Sequence, residues 1–143
     1  MKLLFFKKDF LASLAANLKK MKIEVSNGEI LDKLSILEIK LDHIEDLEQK
    51  SNVKKERDLL KEAASTIDWP EDIYNELHNV NWKLWCIEDK IREKEWNGVF
   101  DKEFIKLARS VYKINDKRSR IKKEINVLTR SSLVEEKQYH SYE

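Results

Sequence analysis

Arg118 is the residue best placed to do chemistry, because it interrupts an otherwise apolar helical ladder. Between residues 100 and 128, nine residues follow one another at alternating steps of four and three. This is the spacing of a helix face that packs lengthwise on neighbouring helices. The other eight positions are apolar: Phe100, Phe104, Leu107, Val111, Ile114, Ile121, Ile125 and Leu128. Burying an unpaired guanidinium costs several kcal/mol, so the pattern predicts either a carboxylate partner for Arg118 or a wet cleft beside it.

Two carboxylates are candidate partners for this guanidinium: Glu76 from the flank of the preceding helix and Glu38 from the first helix. Asn115 lies one turn before Arg118, and Lys122 lies one turn after it. Three interpretations stay open. The first is a buried ion pair that fixes the helix register. The second is an anion or sugar pocket between helices, and the third is an Arg whose charged end reaches the solvent at the rim.

A pocket would also draw on Glu88 and Arg92, which form an i,i+4 pair on the flank of the same preceding helix. The candidate ligand-binding residues are therefore Glu38, Glu88, Arg92, Asn115, Arg118 and Lys122. The sequence has no glycine-rich phosphate loop and no Glu-x-x-His pair, and its single cysteine rules out an intrachain disulfide. We predict no metal and no cofactor, name no catalytic residue, and leave open whether the protein is an enzyme.

Composition and periodicity together predict an all-α fold. Only 2 Gly and 1 Pro are present, too few for a β-rich chain, and 38% of the residues are charged. The ladders predict an antiparallel helical bundle with long helices at 26–49, 70–96 and 100–128 and a short helix at 53–65. The predicted domains are an amphipathic N-terminal arm (1–22), the bundle (23–130) and a C-terminal tail (131–143). The tail is either frayed or held by its tyrosines.

Local signals set several of these boundaries. Ser26 and Glu29 have the spacing of a capping box, in which each side chain bonds the backbone amide of the other. Pro70 suits the first turn of the next long helix, after a cap at residue 68 or 69. Gly98 suits a left-handed end to that helix. Asp101 is the expected N-cap of the last helix, so the last two long helices should be antiparallel neighbours.

Three residues on the long helix at 70–96 suggest a contact surface. Trp82, Trp85 and Cys86 lie on the side opposite its ladder, so this helix is apolar on two sides. Either it is the central helix, covered by the N-terminal arm or the short helix, or this face binds a second copy or another protein. Cys86 is expected to be an inert packed thiol, and His43 to face solvent.

The distribution of charge limits the partners that we expect. The net charge is +1, but residues 1–22 hold six Lys and one Asp, which leaves 22 basic and 26 acidic residues in the remainder. The body should therefore not bind polyanions, and we expect no nucleic-acid partner. No apolar run approaches the roughly 20 residues of a membrane span. With its lone cysteine, the chain is expected to be cytoplasmic.

The N-terminal arm has a broad apolar face formed by Phe6, Phe10, Leu14 and Leu18, edged by lysines. Such a helix suits peripheral membrane contact or docking to a partner. It also suits a cap over the bundle core. Met21 is a third alternative, as the natural start of the protein.

Four segments together resemble a family of small, all-helical bacterial and phage proteins of unknown function. They are GEILDKLSILEIK (28–40), LWCIEDKIR (84–92), LARSVYKINDKR (107–118) and EEKQY (135–139). The resemblance covers about residues 22–142 and brings no activity, although it suggests a link to surface-polysaccharide synthesis. It implies that the residues to watch are Glu38, Trp85, Glu88, Arg92, Arg109, Asn115, Asp116 and Arg118.

A fainter likeness is to the helical chorismate mutases, which hold a dicarboxylate among basic side chains of long helices. Arg92, Arg109, Arg118 and Lys122 would supply such cations. Arg109 falls on the outer side of its helix, however. Two functions are therefore predicted as alternatives: a non-enzymatic scaffold or interaction module, and a small binding protein or enzyme with a pocket at Arg118.

Overall fold

The structure, a computed structural model, describes residues 22–138 and residue 142. It has four helices: α1 (Asn27–His43), α2 (Leu47–Ala64), α3 (Glu71–Trp96) and α4 (Lys102–Leu128). These residues contain no strand, which confirms the predicted all-α helical bundle. None of their helices is long and apolar enough to cross a bilayer. The predicted N-terminal arm lies outside the described residues, apart from Lys22.

The boundary between the first two helices lies earlier in the chain than predicted. The Ser26 side chain accepts a hydrogen bond from the Glu29 amide at 3.2 Å, as half of the capping box requires. The α1 helix ends at His43, and Asp46 then caps α2 by accepting from the amide of Gln49 at 2.8 Å. The predicted break at residues 50–52 is therefore wrong, since those residues lie inside α2.

The α3 and α4 helices form the antiparallel hairpin that the short turn predicts. Pro70 is itself the N-cap of α3, in place of the predicted Asp68 or Trp69. Gly98 follows the C-cap of α3 with a φ of 64°, the left-handed conformation expected there. Asp101 caps α4, as predicted, by accepting from a backbone amide three residues later at 2.9 Å.

The central helix is α1, which packs against α2, α3 and α4, whereas α2 packs against α1 alone. The core lies where α1 meets the open end of the hairpin, away from the turn. Its buried residues are Leu31, Leu34, Ala64, Ile73, Leu77, Val80, Leu84, Ile121 and Ile125. Burial of each large aliphatic side chain contributes about 1.5–3 kcal/mol relative to leaving it exposed, so this half of the hairpin is firmly held.

The other half of the hairpin, residues 86–114, extends beyond α1, and we call it the distal hairpin. None of its residues is fully buried. The α4 ladder was predicted to be buried throughout, but it is buried only at Ile121 and Ile125, whereas Phe100 is 58% exposed. The reason is that α4 has only α3 beside it in this stretch, and a helix pair cannot cover both of its faces.

The C-terminal tail folds back along α4. The Ser131 hydroxyl accepts from the Asn27 amide at 3.0 Å. Further along, Glu136 accepts from Lys123 at 2.9 Å. Tyr142 donates its hydroxyl proton to Asp116. The tail had two predicted states, frayed or held by a tyrosine, and the second is observed.

Candidate functional site

The partner of Arg118 is Asp32, a residue of α1. The guanidinium donates from Nε to one carboxylate oxygen at 2.9 Å and from Nη2 to the other at 2.5 Å. Two parallel bonds of this kind are among the strongest side-chain contacts in proteins. Asp32 is 1% exposed, whereas the Arg118 side chain keeps 28% of its surface accessible. The hydrogen bond to Asp32 raises the pKa of Arg118 by more than burial lowers it.

Both carboxylates named from the sequence are engaged elsewhere, so those two assignments are wrong. Glu76 lies 2.7 Å from the Lys117 ammonium. Glu38 accepts from the Tyr74 hydroxyl at 2.8 Å. Burial, followed by this bond to Glu38, raises the pKa of Tyr74, so its hydroxyl stays protonated as a donor.

Two polar side chains complete the surroundings of Asp32. The Asn81 amide nitrogen donates to the Asp32 carboxylate at 2.8 Å and to the Ser35 hydroxyl at 2.7 Å. Ser35 in turn donates to the Asp32 backbone carbonyl at 2.8 Å. Asn81 and Ser35 are buried, and their hydrogen bonds offset the cost of taking these groups out of water.

Lys122 is the second cation of the cluster. Its Nζ lies 2.6 Å from Glu29, 2.9 Å from Glu135 of the tail and 3.8 Å from Asp32. Burial by itself lowers the pKa of this lysine. The hydrogen bonds to Glu29 and Glu135, helped by the charge of Asp32, outweigh that effect and raise it. Lys122 therefore stays charged.

This arrangement leaves the cluster with no spare positive charge. Three carboxylates, those of Asp32, Glu29 and Glu135, surround the two cations Arg118 and Lys122. An additional anion would meet a local excess of negative charge. The cluster can instead hold α1, α3, α4 and the tail in register, since each contributes a bonded side chain.

The contact between the tail and Lys122 should depend on pH. The hydrogen bond from Lys122 lowers the pKa of Glu135 below its ordinary value of 4.5. The stabilisation is therefore complete above about pH 4.5 and is lost as the pH falls through the lowered value. We expect Glu135→Gln to lower the melting temperature by about 1–3 °C at neutral pH, because the carboxylate is partly exposed, and to have no effect in stronger acid.

The measurement is a series of melting curves for both proteins across this pH range. The exposed Glu62→Gln variant is the control, because Glu62 forms no ion pair within the described residues. The role given to Lys122 would be contradicted if the melting temperatures of Glu135→Gln and the parent chain differed by the same amount from neutral to strongly acid pH.

A cleft of about 230 Å³ opens beside the Asp32–Arg118 pair. Among the predicted ligand-binding residues, it brings together Glu88, Asn115 and Arg118. Arg118 reaches Asn115 through Nη1 at 3.4 Å.

The other predicted ligand-binding residues lie outside the cleft lining. Glu38 accepts a hydrogen bond from Tyr74, and Lys122 belongs to the ionic cluster. Arg92 is exposed, and its Nη2 lies 3.8 Å from Glu88. The structure thus divides the predicted set among the ionic cluster, the cleft, the Glu38–Tyr74 hydrogen bond and an exposed position.

The predicted interface residues divide between the cleft and the surface. Trp85 lines the cleft and is half-buried, and Cys86 is also half-buried. Trp82 is 37% exposed, and its ring lies 4.6 Å from that of His43. His43 is exposed, as predicted, but it covers part of the tryptophan face from the end of α1.

A second feature, which the sequence analysis missed, lies on the solvent side of α4. Lys102, Lys106, Arg109 and Lys113 follow one another at steps of four, three and four residues, opposite the apolar ladder. We call this set the basic ridge. All four side chains are exposed, and none forms an ion pair within the part of the chain that the structure describes. The same spacing was readable from the sequence, but the net negative charge of the body concealed it.

Comparison with known proteins gives a family but no activity. The model of a family of unknown function, DUF6165, matches residues 21–142. The chain belongs to this family. No curated protein and no solved structure matches it significantly. Of the positions that the sequence resemblance implied, four line the cleft: Trp85, Glu88, Asn115 and Arg118.

Proposed function

We propose that the protein is a non-enzymatic helical interaction module that docks on anionic membrane surfaces through its distal hairpin. The packed half of the bundle, fixed by the ionic cluster, would serve as the rigid base of this element. The observation that carries the proposal is the basic ridge, a line of four exposed cations on one helix, none of which forms an ion pair within the described residues. The Lys113 ammonium lies 5.9 Å from the centre of the Tyr142 ring, a contact that leaves its charge in place.

The dimensions of the ridge suit a flat, negatively charged surface. At about 1.5 Å per residue, the four cations span roughly 16 Å along α4. Each Lys or Arg near an anionic bilayer contributes about 1 kcal/mol. Glu103, the one acidic residue between positions 102 and 113, lies 2.8 Å from Lys94, a cation that it shares with Asp101.

Exposed apolar side chains near the ridge favour a membrane over other anionic partners. Ile105, between the first two cations, is 54% exposed, and Tyr112 is 41% exposed. At the hairpin turn, Trp96 is 90% exposed and Phe100 58%. Basic helices with such apolar neighbours lie in the interfacial layer of bilayers, where aromatic rings are also preferred.

A second copy of the chain is a poorer match for the ridge. The neighbouring stretch of α3, residues 86–96, carries four acidic and three basic side chains. Its single net negative charge cannot balance four cations. A long nucleic acid would extend beyond the ridge onto a body that is negative overall, so it too is disfavoured.

The test is co-sedimentation of the full chain with vesicles of phosphatidylcholine alone and of phosphatidylcholine mixed with phosphatidylserine. We expect binding only to the mixed vesicles, decreasing as salt is added. Replacing Lys102, Lys106, Arg109 and Lys113 together with Ser should weaken that binding by roughly two to three orders of magnitude, at about 1 kcal/mol for each cation.

Two variants of the full chain serve as controls. The first replaces Lys54, Lys55, Lys61 and Lys83 with Ser, which removes the same charge from exposed sites off the ridge. The second replaces Lys7, Lys8, Lys19 and Lys20 with Ser and tests the N-terminal arm. The proposal fails if the ridge variant binds as well as the first control, if only the arm variant loses binding, or if the chain prefers an oligonucleotide to the vesicles.

The setting in the cell is also part of the proposal. We place the protein on the cytoplasmic side of a membrane. A connection with surface-polysaccharide synthesis or with phages rests on the sequence resemblance alone.

A further inference from the structure

The cleft beside Arg118 is lined by both apolar and polar side chains. It lies where α1, α3 and α4 meet, and its volume of about 230 Å³ is below the roughly 300–1,000 Å³ of pockets for drug-sized ligands. Ile36, Ile39 and Leu84 contribute apolar surface, and Trp85 adds an aromatic ring. A ligand of about one six-membered ring fits this volume.

The polar groups of the cleft are only partly used by the protein. Both hydrogens of the Asn81 amide are donated to Asp32 and Ser35, while its carbonyl oxygen has no partner among the described residues. In Asn115 the carbonyl oxygen accepts from Arg118 at 3.4 Å, and the amide nitrogen is unpartnered within the same residues. The cleft therefore offers one free acceptor and one free donor group on facing helices.

The charges of the cleft exclude an anion as its ligand. Asp32 already neutralises Arg118 through two hydrogen bonds. Glu88 also lines the cleft. Its side chain is 53% exposed, and its carboxylate lies 3.8 Å from Arg92, its nearest cation among the described residues. An incoming phosphate or carboxylate would therefore meet a net negative site. A hydroxyl group suits it better, since it can donate to Glu88 and accept from Asn115.

We infer that this cleft binds a small neutral polyhydroxylated molecule of the size of a single sugar ring. The ring would lie against Trp85, with its hydroxyl groups on Glu88, Asn81 and Asn115. The inference does not depend on the membrane proposal, because the basic ridge contributes no residue to the cleft.

The test uses the full chain labelled with nitrogen-15 and observed by two-dimensional NMR. D-glucose and N-acetyl-D-glucosamine are the neutral probes, and inorganic phosphate and succinate at equal ionic strength are the anionic ones. We expect millimolar concentrations of at least one sugar to shift the indole N–H of Trp85 and the side-chain amide of Asn115 in a saturable way. Phosphate and succinate should leave both signals in place.

Two substitutions should weaken sugar binding without unfolding the protein. Asn115→Ala and Glu88→Gln each remove or weaken one hydrogen bond to the ligand, so we expect about a tenfold loss of affinity for each. Their controls are Asn79→Ala and Asp89→Asn, exposed positions on α3 that do not line the cleft. Melting curves will verify that all four variants are folded.

Three results would overturn the inference. The first is that neither sugar shifts the two signals at millimolar concentration. The second is that phosphate or succinate shifts them as strongly as the sugars do. The third is that Asn115→Ala and Glu88→Gln bind the sugar as tightly as their controls. The ridge variant with four serines should bind the sugar normally, so failure of the membrane proposal and failure of this one can be told apart.

Discussion

Arg118→Met should lower the free energy of unfolding by about 3–5 kcal/mol, the usual cost of breaking a buried ion pair from one side. The substitution removes both hydrogen bonds from the guanidinium to Asp32, whose side chain is 2% exposed. Among the described residues, the carboxylate would then keep Asn81, at 2.8 Å, and the more distant Lys122, at 3.8 Å.

The double variant Asp32→Asn with Arg118→Met should recover most of that loss. A neutral amide at position 32 needs no counter-ion, and its oxygen can still accept from Asn81. Urea titration of the parent chain and of the single and double variants completes a double-mutant cycle. We expect a coupling energy well above the 1 kcal/mol that limits most exposed pairs.

Arg92→Met is the matched control, because Arg92 is 77% exposed and its nearest carboxylate is 3.8 Å away. It should change stability by less than about 0.5 kcal/mol. If Arg118→Met lowered the free energy of unfolding no more than this control does, the Asp32–Arg118 pair would not hold the helices together.

The hairpin of α3 and α4 was predictable because particular residues in the sequence indicate where these helices begin and end. Pro70, Gly98 and Asp101 each have a backbone or capping preference that acts within a few residues, independently of the rest of the fold. The boundary between α1 and α2 was mistaken for the opposite reason. Ser51 and Asn52 looked like a break, but an exposed helix tolerates both, and the capping carboxylate of Asp46 decided where α2 begins.

The sequence does not identify Asp32 as the partner of Arg118, because the apolar ladder of α1 marks only one buried face. Asp32, Ser35 and Ile39 form a second stripe, and it is buried because α1 packs against three helices at once. No ladder in a single sequence shows how many neighbours a helix will have. The contact between Glu135 and Lys122 was likewise unpredictable, since an extended tail has no periodicity to reveal what it lies against.

Net charge does not show how the charges are distributed over the surface. The body holds more acidic than basic residues, yet the spacing of Lys102, Lys106, Arg109 and Lys113 places four cations on one side of one helix. Attraction to an anionic surface depends on local charge within about 8–10 Å, the screening length at physiological salt. Charge counted along a helix face would therefore have found the ridge.

The close approach of α1 to α4 depends on Gly28, and Gly28→Ala should destabilise the protein by about 1–5 kcal/mol. A Cβ at this position would lie 2.5 Å from the backbone oxygen of Lys122 and 3.0 Å from the side-chain oxygen of Asn126. The backbone oxygen cannot rotate away as a side chain could, so the two helices would have to separate.

Separation of α1 from α4 would also break a buried hydrogen bond. The Gly28 amide donates to Asn126 at 2.7 Å, and Asn126 is only 2% exposed. Losing that bond and straining the contact cost about 1–3 kcal/mol each, whereas alanine regains about 1 kcal/mol in helix propensity. The two costs together therefore exceed the gain in helix propensity. Substitution by a residue larger than alanine should destabilise the protein further.

Urea titration of Gly28→Ala measures the loss, with Val127→Ala as the control, because Val127 is 67% exposed on the adjoining stretch of α4. The clash involves the Lys122 backbone, so Asn126→Ala should not rescue Gly28→Ala even though it removes one of the two contacts. A neutral or stabilising Gly28→Ala would mean that α1 can move away from α4 at little cost. In that case the hydrogen bonds that Arg118 donates to Asp32 and that Lys122 donates to Glu29 could not hold the two helices in a fixed register.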